Sequence, residues 1–299
     1  PHAEVYASAP AGIRSLQGLY HGIKVNPVKT GDTLSIGKRT LSFIQTPLVH
    51  WPDNMVTYDI EDKILFSNDM FGQHIAGLER FDDTVSLETV MHEARTYYAN
   101  IILPYGPSVK KALAHIKALD LDMIATSHGV IWRDHIKDIM ALYEHLASGE
   151  KHHKAVVVYD TMWGSTEKMA VSITEAFHEA GIPSVMRKLS ETPMSDIMEE
   201  LMDASFIAVG SSTLNSGMLP SVGGFLTYMK GLLPKGYTYL AFGSYGWGLK
   251  GPKDVDAALE AMGQTRLMPP ETVMYNPTPG DLSDMKERLK AALKESPAS

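Results

Sequence analysis

AVVVYDTMWGSTEKMA, residues Ala155 to Ala170, reads as a buried strand, a tight polar loop and the first turns of a helix. The order matters because a helix N-terminus holds backbone N–H groups without intrahelical partners and the positive end of the helix dipole. An anion, most often a phosphate, binds there readily. The loop supplies three hydroxyls, Thr161, Ser165 and Thr166, and one glycine, Gly164, but no lysine. A P-loop needs Gly-Lys-Ser/Thr to reach the outer phosphates of a nucleotide and its magnesium, which argues against a triphosphate. The glycine spacing of a dinucleotide site is missing too. A hydroxyl-lined pocket for one phosphate, as a mononucleotide carries, fits what remains. An ordinary βα turn with an N-cap serine fits it as well.

Two later segments repeat the pattern. FIAVG, Phe206 to Gly210, is a second apolar strand and runs into Ser211-Ser212-Thr213-Leu214-Asn215-Ser216-Gly217. YLAFG, Tyr239 to Gly243, is a third and runs into Ser244-Tyr245-Gly246-Trp247-Gly248. In an open parallel sheet, ligands sit beyond the carboxyl ends of the strands, near the point where strand order reverses. Residues 166–180 and 222–232 space their apolar side chains for helices with one buried face. From about Lys154 onward the chain therefore reads as a doubly wound α/β domain.

At 299 residues the chain is long enough for two domains with separate cores. The charged, apolar-poor stretch Ser148 to Lys154 marks the boundary, giving residues 1–150 and 151–299. A net charge of −8 disfavours nucleic acid, whose binding rests on Lys and Arg neutralising phosphates. No apolar run is long enough to span a membrane, and the opening PHAEVYASAPAG lacks the features of a secretory signal. Without cysteine there is no disulfide, thiolate metal site or iron–sulfur cluster, which fits a cytoplasmic location.

The first half is built differently. Short alternating strands come first, at 24–28, 33–36, 40–46, 55–59 and 63–67, separated by turn signals such as Thr30-Gly31-Asp32. Helices follow at 86–102, 108–119 and 134–146, the first with Leu87, Val90, Met91, Ala94 and Tyr98 on one face. Strands then helices predict an α+β layer with an antiparallel sheet. Nine of the 12 histidines fall here. His92, His115, His135 and His145 sit at scattered helical phases, and His2 and His21 offer nothing specific. His50, Asp69 and His128 differ, since each follows an apolar strand: FIQTPLVH, ILFSND and MIATSH. Loops held by a rigid scaffold carry function. Imidazole and carboxylate suit zinc or iron, and a carboxylate can bridge two ions.

TMWGST, SSTLNSG and FGSYGWG, in this order, resemble the phosphate loop and the two ring-flanking loops of flavodoxin-type FMN domains. By that match Thr161, Met162, Trp163, Gly164, Ser165 and Thr166 hold the phosphate. Ser212, Thr213, Leu214 and Asn215 line one side of the isoalloxazine, and Ser244, Tyr245, Gly246 and Trp247 the other, where an aromatic ring can stack. Trp163 departs from the threonine of many free flavodoxins. DTMWGSTEKMA is closer to the flavodoxin domains inside flavodiiron proteins. LVHWPDNMVTYD, LFSNDMFGQH and ATSHGVIWRD in turn resemble the later metal-ligand motifs of that family's metallo-β-lactamase-like domain. The resemblance implies a partial αββα metallo-β-lactamase-like domain followed by a flavodoxin-like sheet. It implies that His50 binds one iron, Asp69 bridges both and His128 binds the other. It also puts Trp51 and Tyr98 at the substrate pocket and His74 behind the ligands, three positions that ordinary packing explains equally well.

The implied activity is reduction of dioxygen to water, or of nitric oxide to nitrous oxide, at a di-iron centre. FMN relays electrons from an external donor, rubredoxin or reduced deazaflavin in this family. A head-to-tail homodimer, in which FMN of one chain meets the metals of the other, is implied too. One motif is missing: the family's His-x-Glu-x-Asp-His, which supplies four ligands, occurs nowhere in the 299 residues. His2 and Glu4 lack its spacing. The expectation is therefore an absent N-terminal segment, supplied by the parent chain or by a second polypeptide. Three alternatives stand beside this reading. The chain is an FMN-carrying electron-transfer fragment without catalysis of its own, a zinc hydrolase of metallo-β-lactamase type, or a protein whose first domain only scaffolds a dimer.

Overall fold

In the computed structural model, which describes residues 3–232 and 236–296, the alternating segments of the first half pair as a mixed sheet. β1 (Val5–Ser8), α1 (Ala11–Leu19) and β2 (Val25–Val28) come first, with β1 and β2 forming a two-stranded parallel sheet. β3 (Thr33–Ser35), β4 (Thr40–Gln45), β5 (Met55–Asp59) and β6 (Ile64–Asn68) then run antiparallel to their neighbours. α2 (Leu87–Tyr97) and α3 (Gly106–Ile116) follow, and β7 (Met123–Thr126) joins β6 in parallel. The expected antiparallel sheet thus holds for β3 to β6 and is corrected at two strands, β2, which pairs in parallel with β1 outside it, and β7, which joins it in parallel. A helical crossover separates β6 from β7, and a crossover returns the chain in the same direction. β1 and α1 carry no alternation or motif that marked them in the sequence, and His2 lies outside the described residues.

The helix expected over 86–102 breaks at Tyr98. Residues Tyr98–Ile102 form a π-helical turn and Leu103–Tyr105 a 3₁₀ turn. Thr96 and Tyr97 at the end of α2 and Tyr98 at the start of the π turn are all buried, and π turns recur at functional positions. α4 (Ile136–Ser148) ends on Gly149 in the left-handed region at φ 72°, a conformation glycine adopts without Cβ penalty.

The chain divides there into two units, the second beginning at Glu150. This unit alternates β8 (His152–Asp160), α5 (Ser165–Glu179), β9 (Ser184–Lys188), α6 (Met194–Leu201), β10 (Ala204–Ser211), α7 (Pro220–Leu232), β11 (Thr238–Tyr245) and α8 (Gly251–Ala261). Two short strands, β12 (Thr265–Arg266) and β13 (Glu271–Met274), and a long helix, α9 (Pro279–Glu295), complete it. All its strand pairs are parallel, in the order β12-β11-β10-β8-β9, with β13 also on β11. β8 and β10 are buried on both faces, which is why AVVVY and FIAVG read as continuous apolar runs rather than alternating ones. Strand order reverses between β8 and β10, placing a crevice beyond their carboxyl ends. No helix among the described residues is long and apolar enough to cross a membrane.

Lys151 enters this core from the edge. Its ammonium lies 3.6 Å over the Tyr237 ring and donates to the Met202 carbonyl at 2.9 Å. Burial pushes it down to about 8 from its ordinary 10.5. Between those values the unfolded chain binds the proton and the folded one does not, so stability rises with pH across that window. Buried tyrosines raised above the usual phenol range work in the opposite direction near pH 10, so the test is a difference: between pH 8 and 10.5 the denaturation midpoint of the parent is expected to rise relative to that of Lys151→Met. A difference that does not change with pH would refute the assignment.

Candidate functional site: a carboxylate between two imidazoles and a cleft at the sheet switch point

His50, Asp69 and His128 come from three separate loops and meet at the sheet end. The Asp69 carboxylate uses one oxygen toward each imidazole: Oδ2 lies 3.6 Å from His50 Nε2 and Oδ1 lies 3.3 Å from His128 Nε2. Asp69 is the most sheltered of the three, at 15% side-chain exposure against 30% and 54% for the histidines. A carboxylate shared between two nitrogen donors is the arrangement a bridging ligand takes between two cations.

A chain of polar side chains ties the three loops together. Thr46 Oγ1 accepts from Asn54 Nδ2 at 2.8 Å, Asn68 Nδ2 donates to Asn54 Oδ1, and Ser127 Oγ donates to Asn68 Oδ1 at 3.0 Å. Asn68 and Ser127 immediately precede Asp69 and His128, so each link positions a ligand. Asn68 and Phe71 hold φ at 54° and 68°, a region non-glycine residues occupy only when their surroundings fix them. The surroundings do so here. The Phe71 carbonyl accepts from Trp132 Nε1 at 2.9 Å and Gln73 Nε2 at 2.7 Å, and its N–H donates to the Tyr143 hydroxyl at 2.8 Å. Gln73 also accepts the Val130 N–H at 2.7 Å, clamping the His128 loop from behind.

Of the flanking residues named in the sequence, Trp51 stands exposed with its ring 6.4 Å from His50. Tyr98 points away: its ring is fully buried, edge-on to Tyr143 at 5.1 Å. The neighbouring Tyr97 lies beside the imidazoles. Its ring lies 5.0 Å from His74 and 5.8 Å from His128. Its hydroxyl is buried with no hydrogen-bond partner, and burial, with the Asp69 charge nearby, pushes it well above the usual phenol range. Tyr97 is the last residue of α2 and Tyr98 the first of the π turn.

In the second unit the three polar loops converge on a cleft of about 580 Å³, within the range of cofactor sites. Met162, Trp163, Ser165, Ser212, Thr213, Leu214, Asn215, Ser244, Tyr245, Gly246 and Trp247 all line it. Thr161 and Gly164 are half-buried and Thr166 is buried. Gly164, not Ser165, is the N-cap of α5, at φ 81°, and no side chain caps the helix. Its first N–H groups are left for an anion. Thr161 Oγ1 accepts the Gly164 N–H at 3.1 Å and so shapes the turn. Thr166, fully buried, bonds Ser212 Oγ at 3.0 Å and Ser244 Oγ at 3.2 Å. One hydroxyl thereby joins all three loops. Trp163 and Trp247, 89% and 96% exposed, offer aromatic surface at the mouth. The sequence reading missed Ser216, Gly248, Lys250, Tyr275 and Asn276 on the same wall. Tyr275 and Asn276 follow β13 directly, a fourth strand-end polar loop.

These features fit both absent groups to different degrees. An uncapped helix N-terminus beside a cleft with aromatic rims suits a flavin mononucleotide. The donor set of the first unit suits the bridged half of a two-metal centre, and three side chains do not close one.

Family comparisons agree unit by unit. A flavodoxin model matches residues 157–294, and an ODP family beta lactamase model matches residues 19–129. The chain is 42% identical over 287 residues to a nitric oxide reductase of Moorella thermoacetica, covering 94% of this chain and 72% of that one. Among solved structures, rubredoxin oxygen:oxidoreductase from Desulfovibrio gigas superposes with a TM-score of 0.89 at 38% identity, over 97% of this chain and 75% of that one. The flavodiiron protein from Giardia intestinalis gives 0.87 at 33% identity, over 97% and 74%. The chain spans from about half to 72% of the length of the curated relatives it matches. Its fold is a metallo-β-lactamase-like unit followed by a flavodoxin-like parallel sheet.

Proposed function

The chain belongs to the flavodiiron protein family, and on that premise we propose that it forms the FMN unit and the bridged half of the di-iron centre of an oxidoreductase that reduces dioxygen to water or nitric oxide to nitrous oxide. The observation that carries the reading is Asp69 facing a different imidazole with each carboxylate oxygen, in a chain that also bears a cleft where three strand-end polar loops converge. Bound iron supplies coordination and electrons to a diatomic ligand, and bound FMN supplies one-electron relay from an external donor.

The placement of this chain's own residues supports the following roles. His50 and His128 would each hold one metal, and Asp69, with one carboxylate oxygen toward each imidazole, would be shared between them. Thr46, Asn54, Asn68 and Ser127 fix the ligand loops, as outer partners do at metal sites. Tyr97 and Trp51 border the space above the histidines. The remaining ligands of a closed centre come from outside these three side chains, and the family motif that supplies them is not in the sequence. In the second unit Ser165 and the first N–H groups of α5 receive the phosphate. The Ser212–Asn215 and Ser244–Trp247 loops flank the ring. We further propose a cytoplasmic head-to-tail homodimer, supported by the exposed aromatics Trp51, Trp163 and Trp247, and a small redox protein such as rubredoxin, or reduced deazaflavin, as donor.

Metal and flavin content of the purified protein tests this. One FMN with two irons per chain supports the oxidoreductase. One FMN without iron supports the electron-transfer fragment for the isolated chain, the reading that a three-ligand site favours. No FMN overturns the assignment of the second unit. Thr166→Val, which keeps shape and removes the hydroxyl, is expected to weaken FMN binding about tenfold, since two buried serine hydroxyls lose their shared partner. Flavin fluorescence quenching reads the change, and an unaltered Kd would show that the three loops do not depend on Thr166.

A further inference from the structure

Lys250 stands where helix formation disfavours it. It is the N-cap residue of α8 and its side chain caps nothing, whereas Ser, Thr, Asp and Asn are the favoured residues there. A cation at that end also faces the positive pole of the helix dipole. Asp254 lies 3.5 Å from its ammonium, but the lysine is more than half exposed and such a pair contributes little. A residue that breaks the local rule points to a use outside its own helix.

That use is visible on the cleft wall. Among the described residues, Lys250 is the only formally charged side chain lining the cleft, and no Asp or Glu lines it, although the chain carries a net charge of −8. Its backbone is held in place, since the Lys250 and Gly251 N–H groups donate to Thr213 Oγ1 at 3.3 and 2.9 Å. Gly251 packs so closely that a Cβ there would lie 2.6 Å from the Ser212 carbonyl oxygen. The start of α8 and Lys250 therefore press together against the Ser212–Thr213 loop. The anion site at the start of α5 lies beyond β8, while Lys250 follows β11, and β10 runs between them. Two strand spacings separate those ends by about 10 Å, which assigns Lys250 to the ring end of a mononucleotide.

Resting on the reading of this cleft as an FMN site, we propose that Lys250 raises the reduction potential of the bound flavin by stabilising the negative charge the ring acquires. Two electrons from an external reductant and one proton from solvent turn the neutral oxidised ring into a reduced ring bearing one negative charge. A cation on the wall favours the second state and leaves the first nearly unaffected. Lys250 is a positioning charge and takes no part in bond making.

The test is a potentiometric titration with dithionite of FMN-loaded parent, K250Q, K250R and K250S, with FMN Kd and thermal midpoint measured on each. In K250Q the oxidised-to-reduced equilibrium is expected to shift at least tenfold toward the oxidised form, which is 29.6 mV for a two-electron couple. K250R keeps the parent potential. K250S, which installs a favoured cap, lowers the potential as K250Q does while melting at or above the parent temperature, an outcome that a merely structural lysine does not produce. Equal potentials in parent and K250Q overturn the proposal. A weakened FMN Kd in K250Q without a change in potential overturns it too, and assigns the lysine to the phosphate. If the parent takes up no added FMN, the FMN reading falls first and the proposal with it.

Discussion

Asp69→Ala is expected to strip the metal centre while leaving the flavin in place, in protein that carries the complete ligand set. One carboxylate oxygen faces His50 and the other His128, so on the proposed assignment the truncation would remove a ligand from each metal at once. What remains is a pair of imidazoles, each on a partly exposed loop with no shared anion to offset two divalent charges. Loss of partners that only orient a ligand already costs about 10–100-fold in metal affinity, and loss of a bridging ligand exceeds that. The FMN cleft is lined wholly by residues of the second unit, so flavin absorbance per chain is expected to stay at the parent value. Elemental analysis beside visible absorbance makes the comparison. Retention of two irons per chain in the mutant would sink the ligand assignment.

Gly243→Ala is expected to unfold the second unit well below the parent temperature. Gly243 sits in β11 with φ 154°, and an added Cβ would fall 1.9 Å from the Ser211 carbonyl oxygen and 2.8 Å from its carbon. Both are backbone atoms of the neighbouring central strand, so nothing flexible can yield. Forced overpacking costs about 3 kcal/mol, and about 3 kcal/mol lowers the midpoint of a domain this size by roughly 6–12 °C. The change also moves Ser244, whose hydroxyl bonds Thr166 and whose carbonyl accepts the Thr213 N–H at 3.1 Å, so flavin binding declines with stability. Gly231→Ala is the control. Its Cβ meets nothing within 4 Å, and alanine favours the helix, so that variant melts at or above the parent. Equal midpoints for the two variants would show that β10 and β11 tolerate separation.

The second unit was legible in its sequence because a parallel sheet buries both faces of its central strands. Such strands appear as unbroken apolar runs whose ends mark the polar loops. AVVVY, FIAVG and YLAFG give the loops of the cleft without any long-range information. Lys250, Tyr275 and Asn276 were not legible, since nothing local distinguishes a loop residue that turns inward from one that faces water. In the first unit the ligands stood out as polar residues at strand ends. The polarity of β7, the strand β1 and the π turn at Tyr98 did not, because each is decided by packing across the sheet rather than by the residues themselves. Tyr97 is the plain case. It ends the regular helix on the same face as Val90 and Ala94, and its ring reaches 5.8 Å from His128, but nothing local sets it apart from Tyr98 in the sequence.

Thr166 carries a consequence for the timing of cofactor capture. Its buried hydroxyl knots the three cleft loops together before any ligand arrives, so the loss of loop freedom is met during folding rather than on association. Binding sites ordered in advance avoid that cost at the moment of encounter. Uptake of FMN by the folded apoprotein is therefore a single encounter-limited phase, linear in cofactor concentration. A conformational plateau in the rate emerges only once the knot is cut.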